Sequence, residues 1–212
     1  MTHTVRVLPN GKWKQNCYLV SDDAKGIALV IDPGSDAPFI QQQLLHHALT
    51  PVAILNTHAH YDHIGAVAEL MQHYKIPFYL HTADVKLMKQ ANIYKFLFDS
   101  KESVVIPEPT HELSPQGVTL QVADFAVSVL CTPGHTKGSV CLQMGTDLFS
   151  GDMLLPSGPG RTDLPGGDKV ALSQSLERLR RLPDEITVWP GHGRPFSLGS
   201  LWEKLAQAEL PK

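Results

Sequence analysis

The stretch "NTHAHYDHIG" (residues 56–65) sets His58, His60, Asp62 and His63 within six positions. Imidazoles and carboxylates are poor core fillers, and burying them unpaired is costly. Such a density of nitrogen and oxygen donors points to a metal site whose remaining partners lie elsewhere in the chain. The residues before it, "VAILNT" (52–57), read as an apolar strand, and those after it, "IGAVAELMQHYK" (64–75), as a helix. Residues two apart in extended backbone share a face, so His58 and His60 can converge on one ion. Asp62 and His63 fall where the chain turns into the helix and can face a second position nearby.

Working outward, the same grammar recurs. "CYLVSDDAKGIALVIDPG" (17–34) reads as two short apolar strands around a polar turn, closed by Pro-Gly. "DAPFIQQQLLHHAL" (36–49) has helical apolar spacing, with Asp36 as N-cap and Pro38 in the first turn. "IPFYLH" (76–81) is a strand and "DVKLMKQANIYKFLF" (84–98) an amphipathic helix. In the second half, "VTLQVADFAVSVLCTPG" (118–134), "GSVCLQMG" (138–145) and "DLFSG" (147–151) read as strands of an antiparallel meander. A helix over 168–182 and a strand "ITVWPG" (186–191) follow. Alternating strands and helices favour an α/β architecture. No linker, strict repeat or low-complexity tract divides the chain, so residues 1–212 are expected to form one domain. The helix expected near the end would dock Leu201, Trp202 and Leu205 on its own domain.

Three further strands end on a donor. "VSVLCTPGH" presents His135, "LFSGD" presents Asp152 and "VWPGH" presents His192. Donors on loops after apolar strands are how rigid scaffolds build sites. Five other histidines read differently. His46, His47, His73 and His111 have the pattern of solvated or hydrogen-bonded side chains, and His81 ends a strand without a companion donor.

Composition narrows the field. The chain has 212 residues, 42% hydrophobic and 18% charged, with a formal net charge of −3, so it can bury a core and has no long basic run. Neither nucleic acid nor a membrane surface is the expected partner. The N-terminal stretch lacks an apolar signal core and no run of 18 apolar residues occurs, which makes the cytoplasm the expected location. Cys17, Cys131 and Cys141 are an odd, widely spaced set that reads as free thiols rather than a disulfide framework.

"THAHYDH", "PGHTKGS", "SGD" and "PGHG", in this order, resemble the signature motifs of the metallo-β-lactamase superfamily. The resemblance spans Cys17 to about Leu198 and within the superfamily is greatest to the glyoxalase II group, the hydroxyacylglutathione hydrolases. It implies an αββα sandwich of two mixed sheets flanked by helices, with the metal site at one edge. It also implies two divalent metal ions, zinc first, with iron or manganese also compatible with the donors. His58, His60 and His135 match the first metal site, Asp62, His63 and His192 the second, and Asp152 the bridging carboxylate. Asp62 would also orient the nucleophile. Arg161, in the loop "SGPGRTDLPGGD" (157–168), matches a basic residue that contacts the glutathione moiety; the bland alternative is a surface pair with Asp163. Tyr61 and Lys137 border the ligands. The chain resembles a short branch without the C-terminal helical domain of longer glyoxalase II enzymes.

The function so implied is hydrolysis of thioesters such as S-lactoylglutathione by a monomer or homodimer. Two rivals stand beside it. "GRTD" also resembles the persulfide dioxygenases of the same superfamily, which use one iron on residues matching His58, His135 and Asp152, or His60. A non-catalytic metal-binding module is the other.

Overall fold

The computed structural model describes residues 3–113 and 119–208. Strands β1 (Thr4–Asn10), β2 (Gln15–Asp22), β3 (Ile27–Ile31), β4 (Thr50–Leu55), β5 (Phe78–His81) and β6 (His111–Leu113) lie side by side in that order. β1, β2 and β3 pair antiparallel, and β3 through β6 pair parallel. Helices α1 (Ala37–His46), α2 (Tyr61–Ile64), α3 (Val67–Tyr74), α4 (Val85–Lys89) and α5 (Ala91–Phe98) interrupt the strand sequence.

The second sheet has β7 (Thr119–Val122), β8 (Phe125–Cys131), β9 (Val140–Met144) and β10 (Asp147–Gly151) as an antiparallel meander. A small hairpin, β11 (Leu154–Leu155) and β12 (Gly158–Pro159), separates it from helix α6 (Lys169–Leu179). β13 (Thr187–Pro190) then returns parallel to β10, and β14 (Phe196–Ser197) closes that edge before α7 (Leu198–Ala208).

Strand periodicity sorts the apolar side chains into layers. On β2, Cys17 and Leu19 face one way, with Ile40 of α1 and Leu70 of α3. Tyr18 and Val20 face the other way, against Val127, Leu142 and Phe149 of the second sheet. On the far side of the second sheet, Cys141, Leu148 and Val188 meet Leu179 of α6 and Leu201 of α7. The result is helix, sheet, sheet, helix: two mixed sheets flanked by helices, as expected. Because both faces of each sheet are covered, the central strands read as apolar runs rather than alternations. Trp202 and Leu205 pack on this outer cluster, so α7 docks on its own chain.

Local chemistry sets the boundaries. Asp36 caps α1 by accepting from the Phe39 N–H at 3.0 Å. The helix expected over 84–98 is broken at Gln90. The Gln90 N–H bonds back to Leu87 at 3.0 Å, a tightened turn that ends α4 before α5 begins. The strand expected over 118–134 divides at Ala123, which has φ +49, and its first residue, Val118, lies outside the described residues. Edge strand β1, where Pro9 is tolerated, was not expected from its sequence. Among the described residues, no helix is long and apolar enough to cross a membrane.

Candidate metal centre

Each donor lies on a segment that follows the end of a strand. His58 and His60 follow β4, and Asp62 and His63 ride on α2. His135 follows β8 across Pro133-Gly134, Asp152 follows β10 directly, and His192 follows β13 across Gly191. All seven meet. His135 Nε2 lies 2.9 Å from His60 Nδ1 and 3.7 Å from Asp152 Oδ2. His63 Nε2 lies 3.5 Å from Asp152 Oδ1, and His192 Nε2 lies 3.6 Å from Asp152 Oδ2 and 3.3 Å from Asp62 Oδ2. His58, His60 and His135 form one group of converging ligand atoms; Asp62, His63 and His192 form another, and Asp152 touches both.

Hydrogen bonds fix which ring nitrogen faces the site. The Thr57 hydroxyl donates to Asp32 at 2.6 Å, so its oxygen is left to accept from His58 Nδ1 at 3.0 Å. His63 Nδ1 donates to Asp32 at 3.1 Å, His135 Nδ1 to the Arg161 carbonyl at 2.8 Å, and His192 Nδ1 to the Trp13 carbonyl at 3.1 Å. With Nδ1 as donor, Nε2 is the atom each ring turns toward the centre, and it offers a lone pair there once the ring is neutral. His58 Nε2, His63 Nε2 and Asp152 Oδ1 are buried with no hydrogen-bond partner. Buried polar atoms left so are costly, and cations would satisfy them. The donor set fits divalent ions of borderline character.

Two carboxylates that sequence reasoning did not single out brace this centre. Asp32 accepts from the Thr57 N–H at 2.7 Å besides the Thr57 hydroxyl and His63. It lies near His58 and His63 in space, yet its oxygens are spent on these donors, so it holds rings rather than an ion. Asp84 accepts from Ala59 N–H at 3.0 Å, Thr136 Oγ1 at 2.7 Å and Gly138 N–H at 2.7 Å, tying the two histidine loops together. The only sequence signal for Asp32 was its place at the end of an apolar strand, and "DPG" reads there as a turn. Gly191 shows why the last donor follows a glycine: a Cβ there would lie 2.1 Å from Asp152 Oδ1.

The charges of the metal-free cluster follow from burial and neighbours. Burial, reinforced by His63 and the other rings, holds His58 well below the usual histidine value. Burial and His135 bring His60 down to about 4, so both rings are neutral at pH 7. Burial would also lower His63, but Asp152, Asp62 and Asp32 outweigh it and raise it to about 9. Burial opposes ionisation of Asp62, but His63 and His192 prevail and keep it well below the ordinary carboxylate range.

The centre opens into a cleft of about 300 Å³ floored by His60, Asp62, Asp152 and His192. Tyr61 lines it, its phenol raised to about 12 by burial and by Asp62 beside it. Arg161 reaches the cleft rim, but its guanidinium grips Asp163 bidentately, Nε at 2.7 Å and Nη2 at 2.6 Å, with both side chains exposed. The bland alternative for Arg161 is thus the conformation seen. Lys137 lines a neighbouring depression rather than this cleft. His81 accepts from the Ala83 N–H at 3.2 Å, capping a short turn away from the cluster.

Comparison with known proteins agrees with this geometry. The family model of the metallo-beta-lactamase superfamily matches residues 10–192. A probable metallo-hydrolase of Bacillus subtilis, YqgX, is 38% identical over 89% of each chain. The hydroxyacylglutathione hydrolase GloC of Haemophilus influenzae is 32% identical over 92% of this chain and 93% of its own. Among solved structures, the BLEG-1 B3 metallo-beta-lactamase superposes with a TM-score of 0.87 at 35% identity, covering 94% of this chain and 97% of that one. TTHA1623, solved in a di-iron-bound form, does so with 0.82 at 36% identity, covering 92% and 95%.

Proposed function

The chain belongs to the metallo-beta-lactamase superfamily, and from that premise we propose that it hydrolyses thioesters such as S-lactoylglutathione to a hydroxy acid and a free thiol. The observation that carries the proposal is that a second donor group is built as fully as the first. Asp62, His63 and His192 converge beside Asp152, with both histidines held by Nδ1 bonds. Retention of that second group disfavours the mononuclear dioxygenase reading.

His58, His60 and His135 would hold one ion, Asp62, His63 and His192 a second, and Asp152 would reach both. Zinc is our first choice, and the di-iron form of TTHA1623 keeps iron in view. Divalent cations, when bound, supply Lewis acidity and make water nucleophilic at neutral pH. The chain's own residues supply the rest. Ionised Asp62 accepts a hydrogen bond from the attacking water and aims it at the carbonyl carbon. A C–O bond forms, the C–S bond breaks, and the proton that the water gives up passes to the departing thiolate. The Tyr61 phenol stays protonated at pH 7 and stands in the cleft as a donor. With a carboxylate-bearing substrate such as S-lactoylglutathione, Arg161 would exchange Asp163 for that carboxylate. We place this activity in the cytoplasm, in one domain spanning residues 1–212, acting as a monomer or homodimer.

The test is a parallel assay of S-lactoylglutathione hydrolysis and of oxygen uptake with glutathione persulfide, together with metal analysis. Hydrolysis with close to two ions per chain is expected. A fully repleted sample that never exceeds one ion and consumes oxygen instead would overturn the proposal in favour of the persulfide dioxygenase.

A further inference from the structure

The walls of the cleft are unlike its floor. Trp13 comes from the turn between β1 and β2, Tyr94 and Phe98 from α5, and Leu164 and Pro165 from the loop after β12. Trp13 and Phe98 keep 47% and 51% of their surface exposed, although large apolar groups gain from burial. Phe98 is not isolated, since Ile93, Phe96 and Leu97 of the same helix are exposed as well.

The cations near these walls already have carboxylate partners. Arg161 is the only Lys or Arg among the described residues lining the cleft, and it is tied to Asp163. Lys12 lies over the Trp13 ring and Lys95 over the Tyr61 ring, and both are paired with Asp99, at 3.1 and 2.8 Å. Lys86 and Lys137 line a separate depression on the far side of Tyr94 and Pro165. A ligand in the cleft therefore meets donors at the bottom and aromatic or aliphatic surface above, and a charged arm would have to compete with Asp99 or Asp163 for a cation.

Resting on the thioesterase reading, we propose that the preferred substrate carries an uncharged apolar arm, aliphatic or aromatic, beside the thioester carbonyl. Trp13 and Phe98 are its specificity-determining residues. Burial of their exposed faces by the arm supplies selectivity that the lactoyl group of S-lactoylglutathione cannot provide.

The experiment compares kcat/KM for four thioesters on the metal-loaded enzyme. These are S-acetyl-N-acetylcysteamine, S-hexanoyl-N-acetylcysteamine, S-acetyl-hexanethiol and S-lactoylglutathione. At least one hexyl-armed substrate should exceed the acetyl reference by about tenfold or more, given what each methylene contributes in an apolar pocket. In Trp13→Ala and Phe98→Ala, made separately, the hexyl-to-acetyl ratio should fall toward unity. Both side chains are half exposed, and metal content checks that the variants fold. A flat series, a preference for S-lactoylglutathione, or ratios untouched by both substitutions overturns the proposal while leaving thioester hydrolysis standing. If no thioester is cleaved, the thioesterase reading falls. Binding of hexyl N-acetylcysteamine thioether by calorimetry then decides the cleft: affinity about tenfold weaker in Phe98→Ala supports an apolar-arm site, and no binding refutes it.

Discussion

Replacing Asp32 by Asn tests the bracing of the centre without disturbing the backbone. Asp32 sits at φ +48, a conformation that Asn tolerates as well as Asp, so the exchange changes acceptors and charge only. The carboxylate receives three donors: the Thr57 N–H on Oδ1, and the Thr57 hydroxyl and His63 Nδ1 on Oδ2. An amide can be turned two ways. With its NH₂ in place of Oδ1 it faces the Thr57 N–H; in place of Oδ2 it faces His63 Nδ1–H. Either way one buried donor loses its acceptor, at about 1–3 kcal/mol, and bonds to a charged acceptor lie at the upper end of that range. We expect the metal-free protein to lose about 3 kcal/mol in urea unfolding. Affinity for the second ion should weaken by about 10–100-fold, the usual consequence of losing a group that orients a ligand ring. Chemical denaturation and a competitive metal titration on the same preparation measure both. A stability change below about 0.5 kcal/mol with unchanged metal affinity would refute the bracing role, because surface-like substitutions have effects of that size.

Asp62→Asn should reduce thioester hydrolysis by about a hundredfold or more and lower occupancy of the second ion, since it removes both a ligand charge and the water's acceptor; unchanged turnover in a variant that has lost that ion would defeat the hydrolase mechanism. Gly191→Ala would put a methyl 2.1 Å from Asp152 Oδ1, so metal content should drop, and wild-type loading would mean that the loop yields easily. With S-lactoylglutathione as substrate, Arg161→Ala should raise KM with kcat retained, because a contact remote from the reacting bond serves ground and transition states alike; the reverse pattern would put Arg161 in the chemistry. The same variant gives a pH readout. Arg161 holds Asp163 down at about 2, so whatever stability the pair contributes is present above the ordinary carboxylate pKa and is lost as pH falls through about 2. Without Arg161, NMR titration should find Asp163 back near the ordinary value, and a value still near 2 would show that another group depresses it.

The sequence by itself determined the α/β class and picked out seven donor side chains that the fold brings together. An apolar run followed by Gly and then by His or Asp announces a strand end facing an open edge, and HxHxDH is a short-range pattern that survives in one dimension. What it left open depended on distance in space. Asp32 and Thr57 are 25 residues apart and meet because β3 and β4 pair in parallel, each delivering its end to the same edge. Asp84 reads as the first residue of a helix, and only the approach of the β8–β9 loop, 52 residues on, turns it into the acceptor of Thr136. Arg161 could be read from the resemblance as a ligand contact or from its neighbour as the partner of Asp163. A bidentate pair two residues apart needs no tertiary help, and the chain forms it. The breaks at Gln90 and Ala123 were equally hidden, because apolar spacing continues across both and the turns are made by backbone geometry. Donor identity is written locally, whereas the carboxylates that aim those donors are chosen by which strands lie side by side.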